Sequence, residues 1–122
     1  MTRKLYKRGS LRPEGPGRFS FVIHNPLVQA SLTSPPRFVV NGVQYDADAV
    51  EAEPAAGGDA VALHAASAEH PLVLAKGDAI RITFPGHLLR GANRIQIQAE
   101  TDEFGTLDVF VEERRPQGDE EE

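Results

Sequence analysis

The sequence has no cysteine, no tryptophan and one methionine, and aromatic residues make up only 7% of its 122 positions. Without cysteine there is no thiol nucleophile, no thiolate zinc site and no disulfide frame. With no tryptophan, and only Tyr6 and Tyr45 as tyrosines, the flat row of exposed aromatics used by a carbohydrate-binding sandwich is hard to build. Long apolar runs are also missing. None approaches the roughly 20 residues of a membrane helix, and the charged start is followed by no apolar stretch of the kind a signal peptide has. These absences lead us to expect a cytoplasmic protein that makes no membrane contact.

Apolar residues make up 40% of the chain, enough for one core and one domain. The net charge of −5 is unevenly placed. Residues 1–18 carry Arg3, Lys4, Lys7, Arg8, Arg12 and Arg18 against the single acid Glu14, which reads as a solvated basic first strand. Nucleic-acid binding is not expected there, because Tyr6 is the only aromatic among those charges. At the other end Glu112, Glu113, Asp119, Glu120, Glu121 and Glu122 outnumber Arg114 and Arg115. The expected organisation is one domain over residues 1–114 and a disordered acidic tail over 115–122.

Glycine and proline are plentiful, at 11 and 9 residues, and they punctuate short runs in which every second residue is apolar. That is the period of half-buried strands. Phe19, Phe21 and Ile23 share one face of such a run, which Asn25-Pro26 stops, and a shorter run follows at 27–32. Asn41-Gly42 supplies the two positive-φ positions of a type I′ hairpin turn. That turn pairs Val40 with Val43, Val39 with Gln44 and Phe38 with Tyr45. Residues 46–53 allow one helical turn, and neither they nor 54–59 read as core elements. Residues 60–66 read as a strand through Val61 and Leu63. Ile80, Ile82 and Phe84 alternate, as do Ile95, Ile97 and Ala99, and Leu107, Val109 and Val111, with a hairpin loop at 101–106. The expected fold is an all-β antiparallel sandwich of seven to eight short strands, jelly-roll or immunoglobulin-like.

The chain shows no catalytic signature. His24, His64, His70 and His87 stand at no metal-ligand spacing, although strands can bring distant histidines such as His24 and His64 together. No serine lies in a nucleophile elbow. Asp46/Asp48 and Asp102/Glu103 suit turns better than acid–base work, and the glycine-rich stretches 15–17 and 57–58 do not open a helix as a phosphate loop must. No catalytic residue, metal ligand or cofactor is therefore assigned to this chain. Four side chains are candidates for partner binding: Phe104 at a hairpin tip, Phe110 on a strand face otherwise lined by Asp108 and Glu112, and His87 and Leu88 in a loop after Pro85-Gly86. An aromatic placed like Phe110 is more often covered by a loop or by the N-terminal segment than exposed. Self-association through the strand at 95–100 or 107–112 would cover a sheet edge.

Several segments resemble the small β subunit of bacterial C-glycoside deglycosidases: residues 17–23 (GRFSFVI), 38–43 (FVVNGV), 76–82 (KGDAIRI), 88–97 (LLRGANRIQI) and 104–107 (FGTL). The resemblance implies a β-sandwich subunit packed against a larger TIM-barrel subunit. That partner would hold a divalent metal and cleave the carbon–carbon bond of 3-oxo-glycosides, with this chain as a non-catalytic accessory of the lyase complex. The alternatives are a stand-alone carbohydrate-binding or oligomeric structural sandwich module, and an independent enzyme with a histidine metal site.

Overall fold

A computed structural model of the chain describes residues 6–24, 30–75 and 77–114. Ten strands form among them: β1 (Arg12–Pro13), β2 (Arg18–His24), β3 (Ala30–Leu32), β4 (Arg37–Val40), β5 (Val43–Asp46), β6 (Glu51–Pro54), β7 (Leu72–Leu74), β8 (Ala79–Pro85), β9 (Ala92–Thr101) and β10 (Gly105–Arg114). They make an all-β antiparallel sandwich, with β1-β2-β8-β6 in one sheet and β5-β4-β9-β3-β7 in the other. β10 pairs with β9 along the whole of both strands. The count exceeds the expected seven to eight because β1, β6 and β7, of two to four residues each, are too short to show a period.

The Asn-Gly turn sets the register as the sequence predicts, with φ of 51° at Asn41 and 84° at Gly42. Phe38 faces Tyr45, Val39 faces Gln44 and Val40 faces Val43. The alternating apolar positions then meet in one core between the sheets. Phe19 and Phe84 stack with centroids 5.0 Å apart, and Phe38 of the second sheet meets Phe84 edge-on at 5.4 Å. Each such ring pair adds about 0.5–1.5 kcal/mol beyond its area burial. Ile82, Ile95, Ile97 and Val109 complete this buried layer.

Three expectations need correction. Residues 60–66 do not form a strand. The Val61 N–H bonds to the Ala52 carbonyl at 2.8 Å, and the chain then tightens into a 3₁₀ turn at Leu63–Ala65, which drops Leu63 into the core. The alanines around it have no bulk with which to enforce a period-two pattern. Residues 46–53 do hold a 3₁₀ turn, at Ala47–Ala49, but both that turn and the following β6 reach the core, through Ala47 and Ala52. The basic N-terminal stretch is not simply a solvated strand. Tyr6 and Leu11 are buried while Lys7 and Arg8 point out, because the segment runs along the edge of β2, bridging Tyr6 to Ile23 and Arg12 to Ser20. The expected stop at Asn25-Pro26, the start of the run at 27–32 and the acidic tail at 115–122 lie outside the described residues.

Candidate functional site

The outer face of the second sheet carries the most exposed aromatic side chain. Cross-strand register lines up Gln44, Val39, Gln96 and Phe110 over β5, β4, β9 and β10. Phe110 is 65% exposed, contrary to the expectation that a neighbour covers it. The N-terminal segment does reach β10, but only at its far end. There Arg8 Nη1 donates to the Glu112 carbonyl at 3.3 Å, the Gly9 N–H donates to Glu113 Oε2 at 2.6 Å, and the Tyr6 hydroxyl donates to Glu113 Oε1. Burial, reinforced by the Glu113 carboxylate, pushes the Tyr6 hydroxyl well above the usual tyrosine pKa, so it stays a donor.

An open groove of about 380 Å³ runs beside Phe110 between Val39, Gly42, Arg94, Gln96 and Glu112. Its polar groups satisfy one another: Gln96 Nε2 donates to Asp108 Oδ1 at 3.0 Å, and Arg94 lies 3.9 Å from Glu112. Val39 and Gln96 were not singled out from the sequence, although the hairpin register already placed Val39 on the Gln44 face.

The four candidate partner residues do not converge. Phe104 is 45% exposed at the β9–β10 turn, whereas His87, exposed, and Leu88, partly packed on the core, precede β9 at the opposite end of the ladder. Ten residues of strand separate the two ends, about 30 Å at 3.3 Å per residue. Phe110 lies between them.

A second, more polar groove of about 560 Å³ opens between Pro35, Pro36, Arg37, Asp46, Asp48 and His64. Arg37 lies 3.8 Å from Asp46, and His64 and Asp48 are exposed. Among the described residues no three of His, Cys, Asp and Glu gather as a metal site, so His24 and His64 are not brought together in one.

The buried polar groups are structural. Asn93 is fully buried. Its Oδ1 accepts from the Leu89 N–H at 2.8 Å and from Asn41 Nδ2 at 2.9 Å, and its Nδ2 donates to the carbonyls of Leu89 and Gly91 at 3.2 Å. Ser20, also fully buried, donates to Glu14 Oε2 at 2.5 Å and accepts from Arg81 Nη1 at 2.7 Å. Partial burial pushes the Glu14 carboxyl pKa up, but the Ser20 and Arg12 hydrogen bonds outweigh it and hold the group below the usual value. Glu103 folds back from the β9–β10 turn onto β3, accepting from Ser31 N at 2.7 Å and Ser31 Oγ at 2.8 Å, and these two bonds lower its pKa.

The family model for the hydroxymethylglutaryl-CoA reductase N-terminal domain matches residues 1–114, and the chain belongs to that family. No curated protein matches the chain. The match overturns the resemblance to the C-glycoside deglycosidase β subunit, and with it the accessory role in a carbohydrate lyase complex. The alternative of a stand-alone carbohydrate-binding or structural module gains no support from it either. The quoted segments are hairpins and alternating strands that any antiparallel sandwich repeats, so they carried the fold and not the family. The TIM-barrel partner and its divalent metal followed from that resemblance alone.

Proposed function

We propose that this member of the family serves a hydroxymethylglutaryl-CoA reductase as a supporting domain. It packs against the part of the enzyme that carries the chemistry, in the same or another chain, and does not itself react with the thioester. The observation that carries the reading is the family match over residues 1–114.

A CoA thioester presents phosphates, and its reduction needs a hydride donor. Phosphate-bearing groups of this kind bind at helix N-termini or at uncommitted basic clusters. Among the described residues there is no α-helix, and Gly15, Gly17, Gly57 and Gly58 lie in connections outside the strands. Arg12, Arg18, Arg37, Arg81 and Arg94 each lie between 2.7 and 3.9 Å from a carboxylate. Those five arginines are thus held by carboxylates, and Lys7, Arg8, Arg90 and Arg114 are the described lysine and arginine residues outside such pairs, which supports placing the reaction elsewhere in the enzyme.

The test is to add the purified chain to the catalytic part of the reductase from the same organism and to follow its melting temperature and turnover. The expected result is a complex in fixed ratio and a rise of several degrees in the melting temperature of the catalytic part. Absence of a complex, with both melting temperatures unchanged, would overturn the supporting role.

A further inference from the structure

The outermost strand of the second sheet is β10, and its far edge is the longest strand edge that pairs with nothing among the described residues. The backbone direction along that edge follows from hydrogen bonds on the other side of β9. The Asn41 N–H bonds to the Arg94 carbonyl, the Thr33 N–H bonds to the Glu100 carbonyl, and the Arg94 N–H bonds to Asn41 Oδ1. Even-numbered residues of β9 therefore turn their backbone groups away from β10, and odd-numbered ones turn toward it. Their partners in β10 are also odd: Leu107 opposite Ala99, Val109 opposite Ile97 and Val111 opposite Ile95. It follows that Thr106, Asp108, Phe110 and Glu112 aim their N–H and C=O groups at the open edge, in agreement with the Arg8 contact on the Glu112 carbonyl.

From this geometry we infer that β10 pairs antiparallel with β10 of a second copy of the chain, with Val109 on the two-fold axis. Parity requires an axis that passes through a residue, and among axes at residues 108 to 111 the side chains select Val109. Only pairings of even residue with even residue align the free backbone groups. Placing Phe110 on the axis would set Asp108 against Glu112 of the second copy twice, and placing Asp108 on the axis would set two aspartates face to face. Both are unfavourable like-charge pairs. Placing Val111 on the axis would set Glu113, held by Tyr6 and Gly9, against Val109.

With Val109 on the axis, Asp108 and Phe110 of the two copies exchange backbone bonds, and Thr106 faces Glu112. On the inner face Leu107 meets Val111, and Val109 meets Val109, so an apolar row continues from core to core. The two Phe110 rings become diagonal neighbours within aromatic reach, which accounts for a 65% exposed phenylalanine on an otherwise polar face. Each strand carries three acids, Asp108, Glu112 and Glu113, against Arg114, so the two edges repel weakly at low salt.

The test uses the full chain alone, so its outcome does not depend on the reductase reading. Sedimentation equilibrium should show a dimer that tightens as salt is raised. Asp108→Pro removes an N–H that only the second copy would accept, and Phe110→Glu sets a carboxylate against Asp108 of the second copy in both facing pairs. Each should weaken dimerisation about tenfold or more while leaving the circular dichroism of the monomer unchanged. The absence of natural cysteine makes the register readable. Val109→Cys should give a covalent homodimer, since facing residues of a non-hydrogen-bonded pair stand about 4.5 Å apart, within disulfide range. Asp108→Cys chains mixed with Phe110→Cys chains should cross-link to each other more readily than either does to itself, a surface test that leaves the core intact. A monomer at all concentrations would overturn the inference, as would a dimer indifferent to both edge variants and to cysteine position.

Discussion

Asn41 and Asn93 hold each other across the start of β9: Asn41 Nδ2 donates to Asn93 Oδ1 at 2.9 Å, while Asn41 Oδ1 accepts the Arg94 N–H at 2.9 Å. One residue forms the first corner of the β4–β5 hairpin and the other is fully buried, so the pair fastens that turn to the loop before β9. Replacing Asn93 by Ala removes the bonds that its fully buried amide makes to Leu89, Gly91 and Asn41 and should cost about 2–4 kcal/mol. Asn41→Gly keeps the turn but loses the side-chain bonds, and should cost about 1–2 kcal/mol. Urea unfolding of the two variants checks the order.

Gly86 and Gly91 should respond oppositely to alanine. Gly86 has φ of 131°, and an added Cβ would stand 2.9 Å from the Tyr45 hydroxyl, which is itself held on the Pro85 carbonyl at 2.9 Å. Gly86→Ala should destabilise by about 2 kcal/mol or more. At Gly91 nothing lies within 4 Å of the new Cβ, and the change should stay within about 0.5 kcal/mol. Thermal melts of the two variants make the comparison.

Acid should loosen the β9–β10 turn through Glu103. Its carboxyl pKa is lowered in the folded chain by the Ser31 N–H and hydroxyl, so folding favours the ionised form. Its contribution is complete above the unfolded glutamate value of about 4.3 and is lost as pH falls through the lower folded value. Glu103→Gln should therefore melt below the parent at pH 6, and the gap should close as the pH is taken well below 4. A gap independent of pH would show that the Ser31 bonds contribute no such linkage.

Tyr6→Phe removes the hydroxyl that donates to Glu113 and should cost about 1–2 kcal/mol. The loss should be concentrated in the N-terminal segment. Hydrogen exchange of the Lys7 amide, bonded to the Val22 carbonyl at 2.9 Å, should accelerate more than that of the β9 amides.

The sandwich was legible wherever side chains alternate on long strands or a turn fixes register. Ile95, Ile97 and Ala99 read correctly because each is large enough, or regular enough, to mark a buried face. Phe38 and Tyr45 read correctly because Asn-Gly permits one pairing. Leu63 did not, since its alanine neighbours carry no period, and Tyr6 did not, since a core tyrosine inside a basic run looks solvated. Asn93 reads as a turn residue until the loop wraps around it. Phe110 could be located on the wet face but not declared uncovered, because that depends on where the N-terminal segment stops. The family could not be read at all from motifs that every antiparallel sandwich shares.

The most direct test of the functional account is calorimetric titration of the isolated chain with hydroxymethylglutaryl-CoA, followed by a turnover assay with a reduced nicotinamide donor. The account predicts no binding heat and no consumption of thioester, because five of the described arginines, Arg12, Arg18, Arg37, Arg81 and Arg94, each lie within 3.9 Å of a carboxylate and no described α-helix offers an N-terminus to a phosphate. Saturable micromolar binding with thioester reduction by the chain alone would contradict it.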